Sequence, residues 1–146
     1  MITNLKDYST MRTIKFRAKS VEGHNIGEWV FGDLHIRSVF PHIHTDVGTR
    51  CKIDPNTIGE FTGLSDKNGN DIYEGDVIGC HNPNIKHLIF YNEKQGRFMA
   101  ALNGDIENDF VGVCGLDDSR WTGSKKVIGN VYDNPELLKG GNYGSK

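Results

Sequence analysis

Residues 12 to 19, RTIKFRAK, alternate without a break. Ile14, Phe16 and Ala18 fall on one face of an extended chain, and Thr13, Lys15, Arg17 and Lys19 on the other. This spacing predicts a first strand. The turn-rich VEGHNIG then leads into EWVFGDLHIR, residues 28 to 37, which reads as a second strand. There Trp29 and Phe31 share one face while Val30, Leu34 and Ile36 share the other, so both faces are expected to meet apolar partners near its start. PHIHTDVGTRCKIDPNT has no helical period and is expected as a loop or an irregular strand pair. TIGEFTGL and DVIGCH are short β-prone runs, and IKHLIFYN at 85 to 92 should pair with RFMAAL across the polar turn NEKQG. DFVGVCGL reads as a strand, DDSRWTGSKK as a loop and KVIGNVYD, 126 to 133, as a late strand. In NPELLK, Asn134 stands where an N-cap belongs and Pro135 at the first helical position, which predicts one terminal helical turn.

No long amphipathic helix, internal repeat or interdomain linker interrupts this pattern. The fold expected is mainly β: a small barrel or strongly curved antiparallel sheets, with an SH3-like element around residues 58 to 92 and at most short helical turns. Composition agrees with it. The chain of 146 residues carries 18 glycines but only 4 prolines, well above the usual glycine share of about 7%, as many tight turns require. Its length suits one domain with an ordinary core. Residues 11 to 138 are read as that domain, 1 to 10 as a flexible leader and 139 to 146 as a flexible tail.

Charge and cysteine usage narrow the classes of function. A net charge of −2 does not give the whole chain the footprint of a nonspecific nucleic-acid binder. The local exception is the first strand, where Arg12, Lys15, Arg17 and Lys19 lie close together. These four are the candidate nucleic-acid contacts, against the plainer reading of a solvated or charge-protected strand face. Cys51, Cys80 and Cys114 are odd in number and form no CxxC pair, so free thiols in a reducing cytoplasm are expected. No apolar run approaches the roughly 18 residues of a membrane helix, and the first residues do not read as a signal peptide.

The chemically densest stretch is GLSDKNGNDIYEGDVIG, residues 63 to 79. Asp66, Asn68 and Asn70 match the first three ligand positions of a calcium loop, but the glycine falls two places early at Gly69 and Val77 stands where the closing glutamate belongs. No phosphate-binding glycine pattern is present, and carboxylates would repel phosphate. Turn structure explains the stretch better. Asn68-Gly69 is a hairpin dipeptide whose two positions tolerate positive φ, and Gly75 within Glu74-Gly75-Asp76 is a second such site, with Asp76 free to accept backbone N–H groups. His42 and His44 share a strand side and could meet Cys51 or Cys80-His81, yet no zinc spacing is present. The cysteines lie in no nucleophile signature, and GxSxG is absent. Neither a metal, a cofactor nor a catalytic residue is assigned.

IKFRAKS, WVFGDL, IDPNTIGEFTGLSDKNGNDIYEGDVI and the closing VIGNVYDNPELL, in that order, resemble the YopX family from about Met11 to Leu138. The segments between Asp33 and Lys52 and between Asn103 and Lys125 depart from the family pattern and are where features particular to this protein are expected. The resemblance implies a small, mostly β protein encoded in phage or prophage DNA, and it carries over no catalytic or ligand residues. The function expected is a noncatalytic binding or assembly module in the cytoplasm of a bacterial host, forming a homo-oligomer or meeting a phage or host protein. Trp29, Phe31, Tyr73 and Trp121 are its candidate contact aromatics, with core packing as the plainer reading. The alternative is a nucleic-acid-binding accessory protein that uses the basic N-terminal strand.

Overall fold

The computed structural model describes residues 11–107, 113–115 and 124–138. Its strands are β1 (Phe16–Lys19), β2 (Trp29–His35), β3 (His42–His44), β4 (Arg50–Lys52), β5 (Gly59–Ser65), β6 (Asp71–Tyr73), β7 (Asp76–Gly79), β8 (Lys86–Asn92), β9 (Arg97–Leu102), β10 (Val113–Gly115) and β11 (Lys126–Asn130). They form two antiparallel sheets, ordered β4-β3-β2-β1-β5-β6 and β10-β9-β8-β7-β11. The sheets are not closed into a barrel. Residues 58 to 92, expected as one SH3-like element, are divided between them: β5 and β6 end the first sheet, while β7 and β8 sit in the second.

Alternation decides which side of each strand is buried. In the first sheet Ala18, Val30, Ile43 and Ile53 make a core cluster with Phe16, Leu34, Cys51 and Ile58 against it. Ile72, Ile78, Ile89 and Ala100 form a second cluster that joins β6 to the other sheet. Val77, Leu88 and Leu138 form a third, beneath the terminal turn. All four residues of β7 are buried, because Val77 feeds one cluster and Ile78 the other. A central strand covered on both faces has this unbroken burial.

The predicted hairpin of β8 and β9 is present, with Leu88 opposite Ala101 and Phe90 opposite Met99. The segment expected as a loop or irregular strand pair folds as the short hairpin of β3 and β4. The first strand is shorter than expected. It begins at Phe16, and Ile14, expected on the inner face, is 54% exposed. Ile36 likewise lies past the end of β2 and is exposed. The late strand stops at Asn130 because its side-chain oxygen accepts the N–H groups of Tyr132 (3.0 Å) and Asp133 (2.9 Å), which turns the chain. Pro135–Leu138 is a single 3-10 turn. The Asn134 side chain reaches back to accept the Asn130 N–H at 3.3 Å, so its oxygen serves the preceding turn. Among the described residues no helix is long and apolar enough to cross a membrane. The expected leader and tail and the Trp121 contact lie outside the described residues.

Candidate functional site

The chain passes from the first sheet to the second through Glu74 and Gly75, between β6 and β7. Gly75 takes φ +87°, which a side chain disfavours, and a Cβ there would stand 2.9 Å from Tyr132 Cε2. Its N–H donates to Ile89 O at 2.8 Å, and its carbonyl accepts the Val131 N–H at 2.9 Å, so the corner is fastened to both neighbours in the second sheet. Asp76 then accepts the Tyr73 N–H at 2.8 Å through Oδ2, as the turn reading expected.

This corner aims Asp76 at Arg17 on β1. The Arg17 Nη2 lies 2.7 Å from Asp76 Oδ1 and donates to Glu74 O at 3.3 Å. The guanidinium sits over Trp29 at 4.5 Å and Tyr73 at 4.9 Å from the ring centroids. Both charged residues are buried, Arg17 7% exposed and Asp76 1% exposed. Their contact is close without hydrogen-bond alignment: Arg17 Nε and Asp76 Oδ1 have no hydrogen-bond partner. Burial pushes the Asp76 carboxyl up, with the Arg17 charge and the Tyr73 N–H opposing it. Burial also pushes Glu74 up, against the Glu60 N–H that its carboxylate accepts at 3.0 Å. Tyr73 is raised by burial as well.

Arg17 and Asp76 line a cavity of about 660 Å³ together with Lys15, Phe31, Asp33 and Tyr73. Phe31 is 46% exposed and lies 5.7 Å from the Tyr73 ring, so the cavity has an aromatic wall open to solvent. Beside it, Trp29 donates through Nε1 to Asp133 Oδ2 at 2.8 Å, packs edge-on against Tyr132 and shares Asp133 with Lys19. Burial works to raise the Asp133 carboxyl, but hydrogen bonds from Lys19, Trp29 and Asn130 outweigh it and hold it at about 2.

The predicted basic stripe is therefore occupied from within. Lys15 pairs with Asp71 at 2.6 Å, Arg17 with Asp76 and Lys19 with Asp133. Of the four candidate nucleic-acid contacts, three meet carboxylates brought from distant strands and turns. Arg12 is exposed beside a separate cavity that Glu60, Thr62 and Arg97 also line.

The acidic loop ahead of the corner is also internally satisfied. Asp66 Oδ1 accepts the N–H groups of Asn68 and Asn70, both at 2.9 Å. Oδ2 accepts the Val127 N–H at 2.9 Å and the Asn70 side-chain amide at 3.2 Å. Burial works against this carboxylate, yet those donors lower its pKa. Gly69 has φ +82°, and Asn68, whose position tolerates positive φ, does not take it. Cys51 packs on the core side, opposite Ile43 and away from the imidazoles of His42 and His44. Among the described residues no group of three or more His, Cys, Asp or Glu side chains is placed to hold a metal ion.

Sequence reasoning placed Arg17 and Asp76 separately, one in a basic face and the other in a turn. Their pairing has no local signal.

A family model described as YopX protein matches residues 6–139. The crystal structure of protein EF1440 from Enterococcus faecalis is similar, with 25% identity, a TM-score of 0.52 and coverage of 88% of this chain and 100% of that chain. No curated protein matches the chain.

Proposed function

The chain belongs to the YopX family, and on that premise we propose that it is a noncatalytic binding module whose cavity at Arg17 and Asp76 holds a segment of polypeptide. The proposal extends to a phage or prophage origin, a bacterial cytoplasmic setting and an assembly role, including association with a second copy of itself. The observation that carries the reading is the buried charge pair at the wall of an open cavity, in which Arg17 Nε has no hydrogen-bond partner and Asp76 Oδ1, 2.7 Å from Arg17 Nη2, is held by charge without hydrogen-bond alignment. Buried polar groups are nearly always hydrogen-bonded, so an incomplete pair at a cavity wall calls for a ligand group of matching polarity. A peptide group or side-chain amide offers one acceptor and one donor in a single planar unit. The exposed Phe31 ring and Tyr73 supply apolar contact for the rest of the segment.

A random-peptide display library panned against the folded protein tests this reading. Enriched sequences are expected to lose affinity by about tenfold or more against Phe31→Ala. No enrichment, or peptides that bind Phe31→Ala as tightly as the parent, would contradict it. Self-association is read separately by light scattering: a single-chain mass at micromolar concentration would count against it.

A further inference from the structure

A second cavity, of about 610 Å³, opens at the far end of the first sheet, within the segment whose sequence departs from the family pattern. Register places its groups. His35 on β2 stands opposite His42 on β3, and β4 brings Arg50 opposite His44 and Lys52 opposite His42. Residues opposite one another in a sheet share a face, so these five side chains stand together. The intervening Leu34, Ile43 and Cys51 point to the core.

The three imidazoles form a compact array. His35 and His42 lie 4.8 Å apart and parallel within 3°, while His44 meets them edge-on at 4.9 and 5.4 Å. Phe40 extends the array, 5.8 Å from His42, and Arg50 and Lys52 stand over its ring at 5.2 and 5.0 Å. The His42 Nδ1 is engaged with Phe40 O at 3.2 Å, which fixes the ring. Arg50 donates to Ser38 Oγ at 3.3 Å, and Arg37 lines the same cavity. Among the described residues no carboxylate lines it. The nearest on this face by register is Asp33, opposite His44, and it belongs to the wall of the other cavity.

We propose that this cavity binds the phosphate-bearing end of a nucleotide, either free or within a single strand. Two guanidiniums beside a hydroxyl present the forked donors that phosphate oxygens accept. The exposed imidazoles of His35 and His44 offer ring faces on which a base stacks. A cavity of this size falls in the range that takes a small organic ligand. The site differs from the basic N-terminal segment, where Lys15, Arg17 and Lys19 are paired with carboxylates, and it is independent of the peptide-binding reading.

Binding of AMP, inorganic phosphate and a labelled single-stranded oligonucleotide of about 12 residues, at about 50 mM salt, tests the proposal. AMP is expected to bind more tightly than inorganic phosphate. Both Arg37→Glu/Arg50→Glu and His44→Ala should weaken AMP by about tenfold or more, while Arg12→Glu leaves it unchanged. An oligonucleotide that binds more tightly than AMP, with a steep salt dependence, assigns the site to single strands; equal affinity assigns it to free nucleotides. Absence of binding to both AMP and the oligonucleotide would overturn the proposal. So would phosphate binding as tightly as AMP, or equal losses in Arg12→Glu and the double variant.

Discussion

Arg17 exchanges water for two aromatic faces and one carboxylate, and that arrangement is sensitive to removal of either charge. Arg17→Met leaves Asp76 buried without its counter-charge, so unfolding free energy in urea is expected to fall by about 3–5 kcal/mol. In Arg17→Met/Asp76→Asn the uncompensated charge is gone and an acceptor for the Tyr73 N–H is kept. Most of the loss should return, and a double variant as unstable as Arg17→Met would contradict this account of the pair. Asp66 is structural by the same standard: it accepts four hydrogen bonds that tie residues 66–70 to β11. Asp66→Ala should cost about 2–4 kcal/mol, read from the same urea curves, and added calcium should leave the parent protein's midpoint unchanged. Alternation correctly placed Lys15, Arg17 and Lys19 on one face. Their partners were beyond its reach, because Lys15–Asp71 spans 56 positions and Lys19–Asp133 spans 114, and a period of two carries no information at that range.

The corner between β6 and β7 is where local turn chemistry becomes tertiary structure. Gly75 and Gly69 both have positive φ, but only Gly75 faces a neighbour, Tyr132, while a Cβ at Gly69 would enter open space. Gly69→Ala should therefore cost about 1–2 kcal/mol in backbone strain alone. Gly75→Ala adds the displacement of Tyr132 and should cost roughly 2–4 kcal/mol. It should also shift the fluorescence of Trp29, which packs against Tyr132, in a Trp121→Phe background. An unshifted spectrum would show that the corner tolerates the extra carbon. The two turns were legible from Gly69 and Gly75. That the second one switches sheets was not, since a hairpin turn and a corner use the same residues. The late strand was overestimated for a similar reason: Val131 and Tyr132 continue a β-prone run, and only the side-chain bonds of Asn130 show where the chain turns.

Across the whole molecule, two groups set opposite ends of the acid response. Burial and the charge of Lys125 lower His87 from 6.5 to about 4. A depressed folded-state pKa contributes stability that is complete above 6.5 and lost as pH falls toward 4. Asp133, held at about 2 from 3.8, contributes above 3.8 and loses its share between 3.8 and 2. Glu74 and Asp76, raised by burial, act in the other direction, so the informative quantity is the difference between variants. His87→Gln should flatten the melting-temperature profile between pH 6.5 and 4 by on the order of 5 °C relative to the parent. Parallel profiles would remove His87 from the acid response.

The mainly β architecture was readable from alternation and glycine content. The division of residues 58 to 92 between two open sheets was not, because strand order depends on pairings such as Arg17 with Gly59 that no local pattern encodes. The central claim is that the Arg17–Asp76 pair is kept for binding, and it is tested most directly by calorimetric titration of a display-selected peptide into the parent and into Arg17→Met/Asp76→Asn, with unfolding free energies measured on the same samples. The account predicts a folded double variant whose affinity falls by about tenfold or more. A folded double variant that binds the peptide as tightly as the parent would contradict it.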